Sequence, residues 1–272
     1  MTYKLRPSSK LYMILIFIFL YLPIALLIFF SFNAAEGQSL FSEFSLRWYE
    51  RLFRDKEVFS ALGVTLIVAA ISSVAATLIG TAAAVGLSGM RKWQRTAVMN
   101  ITYVPVVNPE IVTGISMMLL FVGLRGVLGN QFTMGVGTLI IAHITFNVPY
   151  IIFSVSPKLR QMDKNLYDAA LDLGCSPFQA FLKIVLPEIM PGVLTGFLMA
   201  LTYSIDDFVI SYFTAGTVQT LPIAIYSMTR RRISPEINAL STLLFVIVLS
   251  ILLLMNIKDI RSNKKTEKER RS

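Results

Sequence analysis

The run DAALDLGCSPFQAFLKIVLP, from Asp168 to Pro187, decides how the rest of the chain is read. It lies within a stretch from Ser156 to Pro191 that separates two long apolar runs. Its punctuation predicts two short amphipathic helices. Asp163 is placed to cap the first, Leu166, Ala169, Ala170 and Leu173 form its apolar stripe, and Gly174 stands where a left-handed C′ residue belongs. Ser176-Pro177-Phe178-Gln179 then reads as N-cap, N1 proline and a capping-box glutamine at N3. Phe178, Phe181, Leu182 and Val185 supply the second stripe. Pro187 is expected to stop this helix, because it pushes Leu186 toward extended geometry. A helix pair with apolar faces outside a membrane needs cover, either from its own spans or from a groove on a partner. Periodicity leaves both open.

Outward from this loop, the chain of 272 residues is 55% hydrophobic and only 15% charged, with a mean hydropathy of +0.66. An ordinary soluble domain carries about 25% charged residues. About 20 apolar residues cross a hydrocarbon core of about 30 Å. Six spans follow, at about 11–32, 58–87, 96–122, 136–155, 192–213 and 238–257. They must be helical, since lipid offers no partner for free peptide groups. The second and third are long for one crossing and are expected to be tilted, broken or extended. The first is too long for a signal h-region and lacks a well-formed small-x-small cleavage site after it. The expectation is an all-α membrane protein of one domain, 1–272. It has a core of five spans (58–257), an extra N-terminal span (11–32) and the loop (156–190) between spans four and five. Ser72, Ala76, Gly80 and Ala84 recur every four residues, as do Gly192, Gly196, Ala200 and Ser204, which predicts close backbone approach inside lipid.

The net charge of +9 would suggest nucleic acid in a soluble protein, but here the basic residues flank apolar runs. With the N-terminus inside, 17 of the 25 Lys and Arg residues fall on the cytoplasmic side, so both termini and the Asp168–Pro187 loop are expected there. Arg230-Arg231-Arg232 falls on the outer side, as an interfacial anchor or a contact with another protein in preference to a substrate role. One cysteine and one histidine exclude an intrachain disulfide and a multi-histidine metal centre. No cofactor is implied.

Asp168-Ala169-Ala170, Gly174, Ile184, Leu186 and Pro187 resemble the EAA loop of ABC-importer permeases, with Asp in place of the usual Glu. The resemblance implies the type I importer fold and a loop that forms coupling helices seated on an ATPase subunit. No G-x-x-x-x-G-K-[ST] phosphate loop is present, so a separate ATPase would supply the energy.

Three carboxylates lie in apolar helices and are candidates for function. Glu110 is roughly 22 Å up its helix from Arg95, and Asp206 and Asp207 are roughly 22–24 Å past Pro191, all at similar depth. The two aspartates diverge by about 100° around a regular helix, so both face one pore only if the helix is unwound or the pore is wide. No Lys or Arg within their spans neutralises them. The segments VNPEIVTGIS, HITFNVPY, SIDDFVISYF, LPIAIYSM and ISPEINALST, with the loop, resemble spermidine/putrescine permeases of the PotC type over about Trp48 to Leu244. That resemblance implies a bacterial inner-membrane permease that imports polyamines. It also implies a second homologous permease, an ATPase dimer and an extracytoplasmic polyamine-binding protein as partners, and no nucleic acid. The matching pathway positions are Glu110, Ser204, Asp206, Asp207 and Trp48, and Tyr203 and Tyr212 are aromatic candidates for cation–π contact. The rival of an intramembrane serine protease, with Ser88 in Gly86-Leu87-Ser88-Gly89 and His143 as base, fails on topology. A proton-coupled secondary transporter leaves the loop unexplained. A permease for another cationic or small organic solute is the remaining alternative.

Overall fold

The computed structural model describes residues 7–35, 41–129, 133–231, 235–247 and 249–250. The helices in order are α1 (Pro7–Ser31), α2 (Arg47–Arg54), α3 (Lys56–Ser88), α4 (Lys92–Val107), α5 (Glu110–Leu128) and α6 (Val136–Gln161). They are followed by α7 (Lys164–Asp172), α8 (Pro177–Ala180), α9 (Leu186–Asp206), α10 (Val209–Thr214), α11 (Leu221–Arg231) and α12 (Glu236–Ile247). Among the described residues there is no strand, only an isolated bridge between Asn33 and Phe44. Among the described residues five stretches are long and apolar enough to cross a membrane: Ser9–Ser31, Lys56–Ser88, Glu110–Val127, Val136–Gln161 and Pro177–Asp206. The expected sixth span, 238–257, begins in α12 and runs on outside the described residues.

The chain forms two compact units, Glu57–Ala224 and a second made of Met1–Lys56 with Ile225–Ser272. In the second unit Trp48 is buried, its indole N–H donates to the Asn33 carbonyl at 2.7 Å, and Arg47 lies 4.3 Å from its ring centroid. Arg51 pairs there with Glu236.

The larger unit is built on α6 between α3 and α9. Ser72, Ala76, Gly80 and Ala84 on α3 are all buried, as are Gly192, Gly196, Ala200 and Ser204 on α9, so both predicted small-residue stripes are packing faces. A Cβ at Gly80 would stand 2.8 Å from Ile151 of α6, and one at Gly192 would stand 2.8 Å from the Ser154 carbonyl. Ile151 and Ile189 are wholly buried among these helices. Because lipid is as apolar as the core, such contact rests on close packing rather than on exclusion of water. Polar bonds cross between these helices: Ser72 Oγ and Ser204 Oγ stand 3.2 Å apart, and Asn147 Nδ2 donates to Ser204 Oγ at 2.8 Å.

Three expectations about helix limits change, one of them the span placed at 192–213, which breaks after Asp206 where Asp207 turns extended. The single span placed at 96–122 is two helices, because Pro109 has no N–H and holds Asn108 extended at φ −68°, ψ 142°. The stop placed at Pro187 does not occur. Leu186 is helical at φ −61°, ψ −46°, and α8 continues through Phe181–Val185 into α9. There the Leu186 N–H donates to the carbonyl of Phe181, five residues back. This wider turn makes room for the proline ring, which in a regular helix collides with the carbonyl four residues earlier.

Candidate functional site

Two helix breaks meet at one cavity. The first is the Asn108-Pro109 interruption, after which α5 starts at Glu110. The second follows Asp206, where Asp207 turns extended at φ −63°, ψ 118° and α10 starts at Val209. The helices beyond the two breaks lie against each other. Gly114 of α5 permits this, since a Cβ there would come within 2.9 Å of the Phe213 ring on α10. The cavity of about 260 Å³ is lined by Glu110, Phe146, Tyr203, Asp206, Asp207, Phe208 and Val209.

The three acids stand in different electrostatic positions. The Asp207 carboxylate caps α10, with Oδ1 accepting from Ile210 N at 3.2 Å and Oδ2 from Ser211 N at 2.7 Å. His143 Nε2 approaches the same Oδ2 at 3.5 Å and lies 3.1 Å from Ser211 Oγ. Both side chains are almost fully enclosed, at 2% exposure for His143 and 5% for Asp207. Asp207 thus answers the orphan amides and positive end of α10. Glu110 is exposed in the first turn of α5, where the helix dipole also favours a negative charge. Asp206 is different. It is exposed and ends α9, where the last carbonyls carry negative partial charge and repel a carboxylate. Of the three, Asp206 gains most from an external cation.

An aromatic wall adjoins the acids. The Tyr150 and Tyr203 ring centroids are 4.7 Å apart, and Phe146 lies 5.3 Å from Tyr150 and 6.3 Å from Tyr203. The structure therefore brings Glu110, Asp206, Asp207 and Tyr203 to one cavity and leaves three other candidates off its lining. Ser204 is buried in the α3–α6–α9 core, Trp48 belongs to the smaller unit, and Tyr212 packs against Phe208 and edge-on to Phe213. Sequence reasoning missed Phe146 and Tyr150. Their spacing of four residues on one helix face was the available sign. Ser88 donates to the Val85 carbonyl, and His143 uses one nitrogen for both Ser211 and Asp207, so neither arrangement makes a relay.

The loop has the local geometry its sequence spells. Asp163 Oδ1 accepts from Asn165 N at 3.0 Å. Gly174 has φ +87°, its N–H donates to Leu171 O at 2.9 Å, and Cys175 N donates to Ala170 O at 3.0 Å, a Schellman ending. Ser176 and Gln179 form the reciprocal capping box at 3.1 and 3.3 Å. Asp168 and Ala169 are exposed, Ala170 is buried, and Ile184 and Leu186 are half-buried. Leu173 and Phe178 are strongly exposed, at 86% and 69%.

Residues 76–260 match the protein family described as "Binding-protein-dependent transport system inner membrane component". The chain is 40% identical over 241 residues to the putrescine transport system permease protein PotI of Escherichia coli, covering 88% of this chain and 85% of that protein. It is 37% identical to the E. coli spermidine/putrescine transport system permease protein PotC, with 88% of each covered. It is 32% identical to PotC of Haemophilus influenzae, covering 93% of this chain and 96% of that protein. In fold it is similar to the crystal structure of a bacterial ABC transporter importing alginate, with a TM-score of 0.71 at 17% identity over 93% of this chain and 94% of that one. It is also similar to the MetNI methionine ABC transporter, with a TM-score of 0.55 at 20% identity over 80% of this chain and 98% of that one.

Proposed function

We propose that this chain, which belongs to the family of binding-protein-dependent transport system inner membrane components, conducts polyamines through the membrane. The reading is carried by Asp206, a carboxylate at the negative end of α9 beside a wall of tyrosines. A flexible chain of ammonium groups offers charge to Asp206 and Glu110 and methylenes to Phe146 and Tyr203. Two unit charges about 4 Å apart attract by about 1 kcal/mol in bulk water and about 4 kcal/mol at an effective dielectric of 20. That draws a polycation in without trapping it. The names of the 40%- and 37%-identical relatives support the same substrate class.

ATP energy enters through Asp168, Ala169, Ala170, Gly174, Ile184, Leu186 and Pro187, which form or support the surface that seats an ATPase on the cytoplasmic side. Both termini lie on that side. A second permease chain completes the pore, and a solute-binding protein delivers substrate from outside. A rigid displacement of α7 and α8 then moves α9, whose helix is continuous with α8, and shifts the Asp206 break.

The test is uptake of radiolabelled spermidine and putrescine in cells without other polyamine importers. Asp206→Asn combined with Glu110→Gln keeps size and removes charge, and should lower uptake at least about tenfold, the equivalent of one modest charge contact. Uptake at the parent rate would overturn the cation path. Uptake driven by an imposed proton gradient without ATP would overturn the energy source.

A further inference from the structure

At the end of the bundle that carries the α7–α8 pair, a second cavity of about 190 Å³ is lined by Ala84, Leu87, Ser88, Arg95, Ser156, Leu159 and Arg160. The Ser156 side chain is more than nine-tenths buried, and its hydroxyl finds no hydrogen-bond partner. That hydroxyl is sealed from the cavity, so the polar side chains left to hold a ligand are those of Arg95 and Arg160. Arg160 Nε donates to the Ser156 carbonyl at 3.4 Å, which holds that guanidinium at the cavity. Among the described residues neither Arg95 nor Arg160 is ion-paired with a carboxylate. Asp168 lies on the wall of the adjoining groove, which shares Ser88 and Leu159.

We propose that this cavity binds the phosphate of an anionic phospholipid, held by Arg95 and Arg160. The guanidinium fork matches phosphate oxygens in pairs, and two forks without a competing acid select a negative group. The surroundings favour lipid over free phosphate. The cavity sits where α3 ends, near the C-terminal end of α6, at the level expected for headgroups. The α4 helix that carries Arg95 exposes Trp93, Val98, Ile101 and Val104, so an apolar face for acyl chains lies beside the arginine. An exposed tryptophan at a helix end is the side chain that headgroup level favours. Basic pockets between membrane helices recognise anionic headgroups by this combination. The site is independent of the transported solute, so it stands or falls apart from the cation path.

The test uses the full chain purified with its partner subunits and observed by native mass spectrometry. The probes are dioleoyl-phosphatidylglycerol, dioleoyl-phosphatidylcholine and inorganic phosphate. The parent protein should retain phosphatidylglycerol over phosphatidylcholine. R95Q with R160Q should lower that retention at least about fivefold, as loss of charged donors, and Ser156→Ala should leave it unchanged. Arg125→Gln, at the end of α5, should leave it unchanged. R95K with R160K keeps the charge without the fork and should fall between, which preserves the test if the glutamine pair does not assemble. Retention equal to the parent in both arginine pairs would overturn the site. Displacement of the lipid by millimolar inorganic phosphate would overturn lipid as its occupant.

Discussion

The α7–α8 loop and the carboxylate cavity are built from the same kinds of parts, helix ends and capping side chains, but close their bonds over very different distances. In the loop, Asp163 caps Asn165, Gly174 bonds Leu171, and Ser176 and Gln179 cap each other, all within five residues. At the cavity, Asp207 also caps a helix locally, but what fixes it in place comes from afar: His143 reaches Ser211 across 68 positions, and Gly114 lets α10 lie on α5. A locally closed motif survives as a unit and can move as a rigid lever. A site assembled from distant helices holds its shape only while the packing holds, and this suits a place that must open and close.

The strongest test of that contrast is Gly114→Leu. A Cβ there meets the Phe213 ring at 2.9 Å and the Val209 carbonyl at 3.4 Å, and a full leucine must displace α10. Overpacking of this kind costs about 1–3 kcal/mol. The two breaks separate, so uptake should fall to background while α7 and α8 still bind the ATPase. Co-purification of the ATPase together with an uptake assay reads both halves. Loss of the ATPase with α10 displaced would show that the two regions are not separable.

Next in size is Gly174→Val. The backbone sits at φ +87°, where a β-branched residue is strongly disfavoured and a left-handed L-residue costs roughly 1–2 kcal/mol. The Schellman ending opens and α7 loses its angle to α8. Substrate-stimulated ATPase activity should drop about five- to tenfold, while polyamine binding at the cavity stays near that of the parent. Gly174→Ala should be milder. Normal stimulation in the valine variant would remove the glycine from the coupling argument.

The same contrast explains how much was legible in the sequence. The loop could be read position by position, because cap, proline, glycine and stripe each act on neighbours. Its one error, the stop at Pro187, arose where a wide turn absorbed the ring, and no residue type announces that turn. The small-residue stripes gave the packing faces of α3 and α9, since periodicity carries that information. At the cavity, sequence named all three acids but could not rank them. Rank depends on which acid begins a helix and which ends one, and that followed from where the break after Asp206 falls. Nor could spacing show that His143 belongs beside Asp207, because proximity across helices leaves no local trace.

Ranking the acids gives a third experiment. Asp206→Asn should lower uptake about tenfold with an unchanged melting temperature, because that side chain is exposed and has no cap to lose. Asp207→Asn should do the reverse in emphasis. Asn has one acceptor where the carboxylate has two, so either Ile210 N or Ser211 N loses its partner, at a cost of about 1–3 kcal/mol. The melting temperature should fall by several degrees, and uptake should fall only as far as α10 loosens. Equal melting temperatures for the two variants would erase the distinction between a capping acid and a cation-facing one.

The smallest effect belongs to Ser176→Ala. Removing an N-cap side chain costs about 0.5–2 kcal/mol in an isolated helix. Here the capped helix does not end after one turn, since α8 continues through the wide turn into α9, and Ala180, Val185 and Ile189 along it are buried. The lost bond, Gln179 N to Ser176 Oγ, is solvent-facing, so water replaces much of it. Pro177 at N1 has no N–H to leave unsatisfied and keeps φ helical. Fraying therefore stops within the first turn, and the exposed Phe178 loses order without leaving its place. Stimulated ATPase activity should change by no more than about twofold, with melting temperature within the error of the parent. Amide hydrogen exchange should rise at Phe178 and Gln179 and nowhere along α9. Faster exchange reaching Ala200 would mean that the loop and the transmembrane helix are one cooperative unit, and the lever would then lack the rigidity that carries force from the ATPase to the Asp206 break.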